Sequence, residues 1–293
     1  MNLGKLGMLV AVVAAAAPAS AGIIRHDVSD SQYLSLANQY SSVGRVGITG
    51  SGFTASGVLI ADNWVLTAAH LMDSNLQPTT FTVGGNSYNI AERIVHPAYN
   101  GNLSAGNDIA LFRLGSSVSG VTPATIFTGT TELGGVGTSV GFGMTGDGLT
   151  GINYSVSAGT KRAGRNSIDA LGSVFGIDAD ILLYDFDRPT NNTGNSLGSS
   201  TALDMEYLIA FGDSGGGLFQ EFDGITTLTG ITSFIASIDG STDGSYSDLA
   251  GSTRVSSYTQ FIQQHVASAV FIPEPATLGL LVFGVMPLVR RRG

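Results

Sequence analysis

Gly212-Asp213-Ser214-Gly215-Gly216 surrounds a single hydroxyl with glycines, and this stretch decides how the rest of the chain is interpreted. Glycines let the backbone turn tightly and let a second chain approach closely. The N–H groups of Gly212 and Ser214 can converge on one point, as the donors of an oxyanion hole must. The pentapeptide therefore predicts a reactive serine, Ser214, with an oxyanion hole formed by Gly212 and Ser214. Taken alone, it is also compatible with a flexible glycine turn.

A serine hydroxyl needs a nearby base to act as a nucleophile at neutral pH, and histidine is the usual base. His70 ends the stretch Thr67-Ala68-Ala69-His70, directly after an apolar strand pattern that would hold its side chain rigidly. Asp108 stands at the entrance of a second apolar strand pattern. A partly buried carboxylate needs a partner, and a histidine N–H would be one. These segments make His70 a candidate base and Asp108 a candidate for orienting it, although each alone is also compatible with a structural histidine or a turn aspartate.

Short segments of strand character dominate the chain between its two ends. They are predicted at residues 57–60, 64–67, 109–114, 139–142 and 227–234. Apolar residues at spacings of three and four predict one amphipathic helix at 255–268. Residues 116–125 are predicted to link two halves, and the polar stretch 161–203 is predicted to form a long surface excursion. Many strands and one late helix indicate an all-β barrel or sandwich.

The three segments around His70, Asp108 and Ser214 together resemble the TAAH, DIAL and GDSGG signatures of the chymotrypsin-like (trypsin) family, in that family's chain order. The resemblance covers residues 23–269 and implies two antiparallel β-barrels with a C-terminal α-helix. It assigns residues 23–120, with the histidine and aspartate, to the first barrel, and residues 121–269, with the serine, to the second. It implies an endopeptidase that hydrolyses peptide bonds through an acyl-enzyme.

The resemblance also implies further site residues. Leu208 falls at the floor of the primary specificity pocket, where the lack of an acid argues against a preference for Lys or Arg. The pocket strand contributes Ser233, Phe234 and Ile235, and a bulky Ile235 would favour small apolar side chains. Asp213 is implied as the partner of a freed N-terminal isoleucine, which would be Ile23 if the leader is cut after Gly22. A cut after Ala21 would instead leave Gly22 as the first residue.

Both ends of the chain are predicted to be targeting segments. Residues 1–22 have the charged start, apolar run and small-residue cleavage site of a secretory signal peptide. Residues 272–293, with an intact Pro-Glu-Pro, an apolar run and terminal arginines, resemble a PEP-CTERM sorting signal of Gram-negative bacteria. The expected processing partners are a signal peptidase and an exosortase. We expect transient membrane contact through these ends and export across the inner membrane to the periplasm, cell surface or medium.

Composition narrows the classes of function. A formal net charge of −9 disfavours nucleic acid as a partner. The chain has no cysteine, which removes disulfides and thiol nucleophiles. No metal site and no cofactor is predicted, because zinc-protease motifs are missing from the sequence. The partner expected from the resemblance is a protein or peptide substrate.

Two other interpretations of the sequence stay open. The first is an α/β-hydrolase, in which Asp239 or Asp248 and then His265 would follow the serine. Such a fold also needs alternating strands and helices, which the sequence does not suggest. The second is a catalytically silent protease-like surface binding module, since fold does not fix function.

Overall fold

The structure is a computed structural model, and it describes residues 22–50, 53–73, 76–190, 195–238 and 240–274. The predicted signal peptide falls outside these residues except for Gly22, and the predicted sorting segment falls outside them except for residues 272–274. Within the described residues, no helix combines the length and the apolar character needed to cross a bilayer.

The described residues are mostly β-strands, with two short α-helices. The strands in chain order are β1 (Ile23–Ile24), β2 (Val43–Ile48), β3 (Thr54–Ala61), β4 (Trp64–Thr67), β5 (Pro78–Val83), β6 (Asn86–Val95), β7 (Ala110–Leu114), β8 (Thr125–Phe127), β9 (Val136–Gly141), β10 (Gly146–Asp147), β11 (Gly151–Ile152), β12 (Arg162–Ser167), β13 (Ala170–Leu171), β14 (Ile181–Asp185), β15 (Tyr207–Leu208), β16 (Gly217–Phe222), β17 (Ile225–Ala236), β18 (Leu249–Arg254) and β19 (Phe271–Ile272). The helices are α1 (Asp30–Ala37) and α2 (Thr259–His265).

The first half of the chain closes into a six-stranded barrel in the order β2-β3-β4-β7-β6-β5. Neighbouring strands are antiparallel throughout. Alternation of side chains along each strand sends the apolar set into the barrel. Val58, Leu66, Phe81 and Phe112 are fully buried there. A closed barrel has no exposed edge strand, which makes this half a rigid support for the site residues at its rim.

The second half forms a curled sheet in the order β12-β9-β16-β17-β18-β14-β13, with β8 joined in parallel to β17 and β19 joined in parallel to β8. A third, smaller sheet has the order β11-β10-β1-β15 and holds the N-terminal strand. A closed barrel, a half-barrel sheet and a short C-terminal helix together make the chymotrypsin-like architecture that the sequence predicts.

The predicted strands are all present, and most of them are a few residues longer than predicted. The strand predicted at 64–67 has those bounds in the structure, and the one predicted at 57–60 lies within β3. The prediction for 161–203 is wrong in its first half, which contains β12, β13 and β14. Part of this stretch is buried, and the buried Asn166 side chain donates to the carbonyl oxygens of Asp185 and Tyr207. Internal hydrogen bonds thus make a polar stretch part of the core.

Both helices differ from the sequence-based expectation. The C-terminal one starts as a 3₁₀ turn at Val255–Tyr258 and continues as α2, ending at His265. It stops short of the predicted residue 268 because Val266 leaves the helical region, with φ −128° and ψ 77°. Helix α1 is missed by the sequence pattern, since its buried residues Tyr33, Leu36 and Ala37 mark only one turn.

Candidate active site

His70 and Asp108 meet where two neighbouring strands of the barrel end. Strand β4 runs antiparallel to β7 with Thr67 opposite Ala110, so the residues just beyond this pair lie side by side. The backbone N–H of His70 donates to Oδ1 of Asp108 at 2.8 Å, and His70 Nδ1 lies 2.8 Å from Oδ2. The carboxylate therefore holds both the main chain and the ring of the histidine.

The burial of this pair is unequal. The Asp108 side chain is 1% exposed, and the His70 side chain is 17% exposed. Burial disfavours the charged imidazole, but the charge and hydrogen bond of Asp108 outweigh it and raise the pKa of His70. Burial likewise acts to raise the pKa of Asp108, and the interaction with His70 reverses this and lowers it. An ionised Asp108 beside a basic imidazole is the arrangement that general-base catalysis needs.

Asp108 has further hydrogen-bond partners in the second half of the chain. The Ser233 hydroxyl donates to Oδ2 of Asp108 at 2.5 Å, and the Thr253 hydroxyl donates to its carbonyl oxygen at 3.0 Å. Ser233 lies on β17 and Thr253 on β18. The Asp108 of the first barrel is thus held by two strands of the second half, and Ser233 contacts its carboxylate as well as lying on the strand predicted to line the pocket.

Ser214 lies in the loop between β15 and β16. Its carbonyl oxygen accepts the N–H of Ser56, on β3, at 2.9 Å. Gly212, two residues earlier, has φ +95°, a conformation that favours glycine. Among the described residues, no hydrogen bond joins the side chains of Ser214 and His70. The serine loop is therefore joined to the first barrel by a hydrogen bond between the main chains of Ser214 and Ser56.

Asp213 points away from Ser214 into the second half of the chain, where it is 1% exposed. Its carboxylate accepts the N–H groups of Gly143 at 2.7 Å and Ala210 at 2.8 Å. Burial raises its pKa to about 6, while these donors, the charge of Arg162 and the N–H of Gly22 act against the rise. Asp213 therefore contacts the backbone of Gly22, one position before Ile23, the residue that the resemblance implies as its partner.

Gly22 occupies a tight space beside this carboxylate. It has φ +61° and is buried. A Cβ atom built there would lie 1.8 Å from the hydroxyl oxygen of Tyr207. Next to it, Ile23 is fully buried and pairs with Leu208 of β15 and Gly146 of β10. The segment 22–24 is therefore an integral part of the small sheet.

The three apolar residues predicted for the specificity pocket fall into two apolar clusters, and Ser233 belongs to neither. Leu208 and Ile235 belong to one cluster, together with Ile23. Phe234 belongs to another cluster, together with Leu103 from the segment before Asp108. Successive residues of a strand point to opposite faces, so Phe234 and Ile235 serve different regions of the molecule. Leu208 is fully buried.

A second carboxylate near His70 has no counterpart in the sequence prediction. Asp73 accepts the Tyr99 hydroxyl at Oδ2 at 2.6 Å, and its charge contributes to raising the pKa of His70. Only its proximity to His70 in the chain could have pointed to Asp73. Ser56 is also missed, because a serine inside an apolar strand carries no recognisable signal.

The α/β-hydrolase alternative does not fit the structure. The pairings between the long strands of both halves are antiparallel, whereas an α/β-hydrolase needs a largely parallel sheet with intervening helices. Asp248 accepts the N–H of Gly244 at 2.7 Å within a loop, and His265 packs its ring against Phe261 of α2. Asp239 is outside the described residues. Within the described part of the chain, no three acidic or histidine side chains are grouped to hold a metal ion.

Comparison with known proteins identifies the family. The family described as Trypsin matches residues 35–262, and the chain therefore belongs to the trypsin family of serine proteases. Chymotrypsin-like elastase family member 1 of Felis catus is 29% identical in an alignment of 240 residues, which covers 73% of this chain and 79% of that protein.

Two other relatives carry the same name. The protein of Canis lupus familiaris is 29% identical over 238 residues, covering 73% of this chain and 82% of the relative. The protein of Macaca fascicularis is 42% identical over 79 residues, covering 22% of this chain and 29% of the relative. The similarity thus extends over most of the chain and is higher within a shorter stretch.

Proposed function

We propose that this protein is a secreted serine endopeptidase in which His70, Asp108 and Ser214 form the catalytic triad. The observation that carries the proposal is the buried Asp108 carboxylate, which accepts from both the backbone N–H and the ring Nδ1 of His70. An Nδ1–H donated to Asp108 leaves Nε2 unprotonated and basic. The family membership of the chain supports the same conclusion.

The reaction follows from these roles. Ser214 Oγ attacks the carbonyl carbon of the scissile peptide bond, and His70 Nε2 takes its proton. The N–H groups of Gly212 and Ser214 stabilise the resulting oxyanion. The tetrahedral intermediate collapses, the C–N bond breaks, and His70 gives the proton to the leaving amine. Water, activated by His70, then hydrolyses the acyl-enzyme and restores Ser214.

The substrate preference that we propose is for small apolar side chains. Leu208 offers no negative charge to bind Lys or Arg, and the bulky Ile235 belongs to the same apolar cluster. The relatives that match over most of the chain are named elastases, and elastase has a small specificity pocket. These observations support a preference that the triad alone does not determine.

We further propose that removal of the leader leaves Gly22 as the first residue. The N–H of Gly22 already contacts the Asp213 carboxylate, so cleavage after Ala21 would put an ammonium group at that point. A charged amine beside a buried carboxylate would stabilise the serine loop. Cleavage after Gly22 would instead leave this contact unmade.

Export and sorting are the last part of the proposal. The final strand, β19, pairs with β8, and the carboxylate of Glu274 accepts the N–H and the hydroxyl of Thr130. These contacts tie the chain to the body up to the start of the Pro-Glu-Pro segment. Removal of the tail beyond this segment would leave the described fold in place. Mass spectrometry of the exported protein tests the sorting proposal: the mass of the tail should be lost only in cells that contain an exosortase.

The experiment that tests the proposed activity is labelling of the purified, tail-less protein with a fluorophosphonate, read by intact mass spectrometry. We expect stoichiometric labelling of the wild type and none of Ser214→Ala. The same spectrum gives the N-terminal residue, and we expect Gly22. A folded wild-type protein that starts at Gly22 and takes no label would overturn the proposed endopeptidase activity and favour a surface binding module.

A further inference from the structure

Ser56 connects the loop of the reactive serine to both halves of the molecule. It lies on β3 and is fully buried. Its hydroxyl donates to the carbonyl oxygen of Gly212 at 3.0 Å and accepts the N–H of Phe142 at 2.9 Å. Its backbone N–H donates to the carbonyl oxygen of Ser214, and its own carbonyl oxygen accepts the Thr67 hydroxyl at 2.8 Å.

Each of these partners belongs to a different part of the site. Gly212 and Ser214 supply the proposed oxyanion hole. Phe142 directly follows β9 in the second half, and Thr67 ends the strand that leads to His70. One serine therefore sets the position of the oxyanion loop relative to both the histidine strand and the second sheet.

The contact with Gly212 matters most for chemistry. At φ +95° this glycine has more conformational freedom than other residues, so its own backbone preference does not hold the loop. A hydrogen bond to its carbonyl oxygen restrains the peptide plane that follows it. That restraint is transmitted to the neighbouring N–H groups, whose direction decides how well they meet an oxyanion.

We infer that Ser56 is a positioning residue that holds the oxyanion hole in its active geometry. This inference rests on the proposed endopeptidase activity. Ser56 has no role in proton transfer, and its effect passes through Gly212 and Ser214. Its loss should therefore weaken stabilisation of the transition state much more than binding of the substrate.

The test compares Ser56→Ala and Ser56→Cys with the wild type on a peptide substrate. For Ser56→Ala we expect kcat to fall about 10-fold to 100-fold, with KM within about twofold of wild type. A peptide aldehyde, which forms a tetrahedral adduct with Ser214, should lose affinity by about the same factor as kcat. A competitive peptide inhibitor without an electrophilic carbonyl should keep its affinity. Ser56→Cys keeps a weak thiol donor, so its kcat should lie between those of the wild type and Ser56→Ala.

Thr229→Val is the matched control. The Thr229 hydroxyl is fully buried and donates to the carbonyl oxygen of Leu218 at 3.1 Å, outside the site. We expect this variant to lower the melting temperature as Ser56→Ala does while leaving kcat unchanged. An unchanged kcat in folded Ser56→Ala, or equal losses for both kinds of inhibitor, would overturn the inference. A wild type that takes no fluorophosphonate label would instead overturn the proposed function.

Discussion

The hydroxyl of Ser233 lies 2.5 Å from Oδ2 of Asp108, the same oxygen that faces Nδ1 of His70. The two residues are 125 positions apart in the chain and come from different halves of the molecule. This contact stabilises the negative charge that Asp108 needs in order to orient the histidine. The second sheet therefore contributes to the electrostatics of a pair that the first barrel supplies.

Replacing Ser233 by alanine should lower kcat by about 10-fold, because a hydrogen bond to a charged group is worth about 1.5 kcal/mol or more. KM should change little, since the hydroxyl points to Asp108. Steady-state kinetics on a peptide substrate measure both constants. Thr227→Val, which removes another buried hydroxyl from β17, is the control and should keep the wild-type kcat. A wild-type kcat for Ser233→Ala would contradict the prediction.

The pH profile of kcat/KM should show an acid limb with its midpoint above 6.5, the ordinary pKa of histidine. Asp108 raises the pKa of His70 by stabilising the imidazolium, so the base is lost as the pH falls through that raised value. In Asp108→Asn the midpoint should move down, and kcat should fall by about 10⁴-fold. If Asp108→Asn kept the wild-type midpoint, Asp108 would not be the group that raises the pKa of His70.

Substitution of Gly22 by alanine should slow fluorophosphonate labelling without preventing folding. The added Cβ would collide with the Tyr207 hydroxyl and displace the amino group from Asp213. The labelling rate and the N-terminal mass together measure the effect. Gln32→Ala, on the exposed face of α1, is the control. Normal labelling of a Gly22→Ala protein that begins at residue 22 would contradict the proposed contact.

The preference for side chains at the cleavage site should broaden when Ile235 is replaced by glycine. Loss of the branched side chain widens the cluster that contains Leu208, so large apolar residues should then be accepted. A peptide library analysed by mass spectrometry measures the change. The variant should also lose about 3 kcal/mol of unfolding free energy. Ile235→Val, which removes a single carbon atom, should keep the wild-type preference. An unchanged library profile for Ile235→Gly would overturn the assignment of Ile235 to the specificity pocket.

The stability of the protein should fall as the pH rises from about 5 to about 9. Burial raises the pKa of Glu206 to about 9 and that of Asp187 to about 7. One oxygen of each carboxylate has no hydrogen-bond partner among the described residues. Because the folded protein holds protons that the unfolded chain releases, raising the pH favours unfolding.

Glu206→Gln should flatten this dependence, since an amide has no proton to lose over that range. Melting temperatures of the variant and the wild type across the pH range measure the effect. Glu92→Gln serves as the control, because Glu92 is an exposed residue paired with Arg113 and its loss should leave the slope unchanged. A wild-type melting temperature that rises with pH would contradict the prediction.

Much of the architecture and the triad candidates follow from the sequence, because their signals are local. Alternating apolar residues on either side of a short turn predict the hairpin of β3 and β4. The segments around His70, Asp108 and Ser214 are recognisable since each combines a reactive side chain with the turn or strand that must hold it. Fully local patterns of this kind depend only on residues a few positions apart.

Only the tertiary structure decides which distant groups complete the site. Ser56 and Ser233 look like ordinary strand residues until folding puts one against Gly212 and the other against Asp108. Burial of the polar stretch after residue 161 and the contact of Gly22 with Asp213 are equally invisible in the chain. The physical reason is that a hydrogen bond between buried groups depends on where both halves of the molecule meet, and no local pattern encodes that meeting.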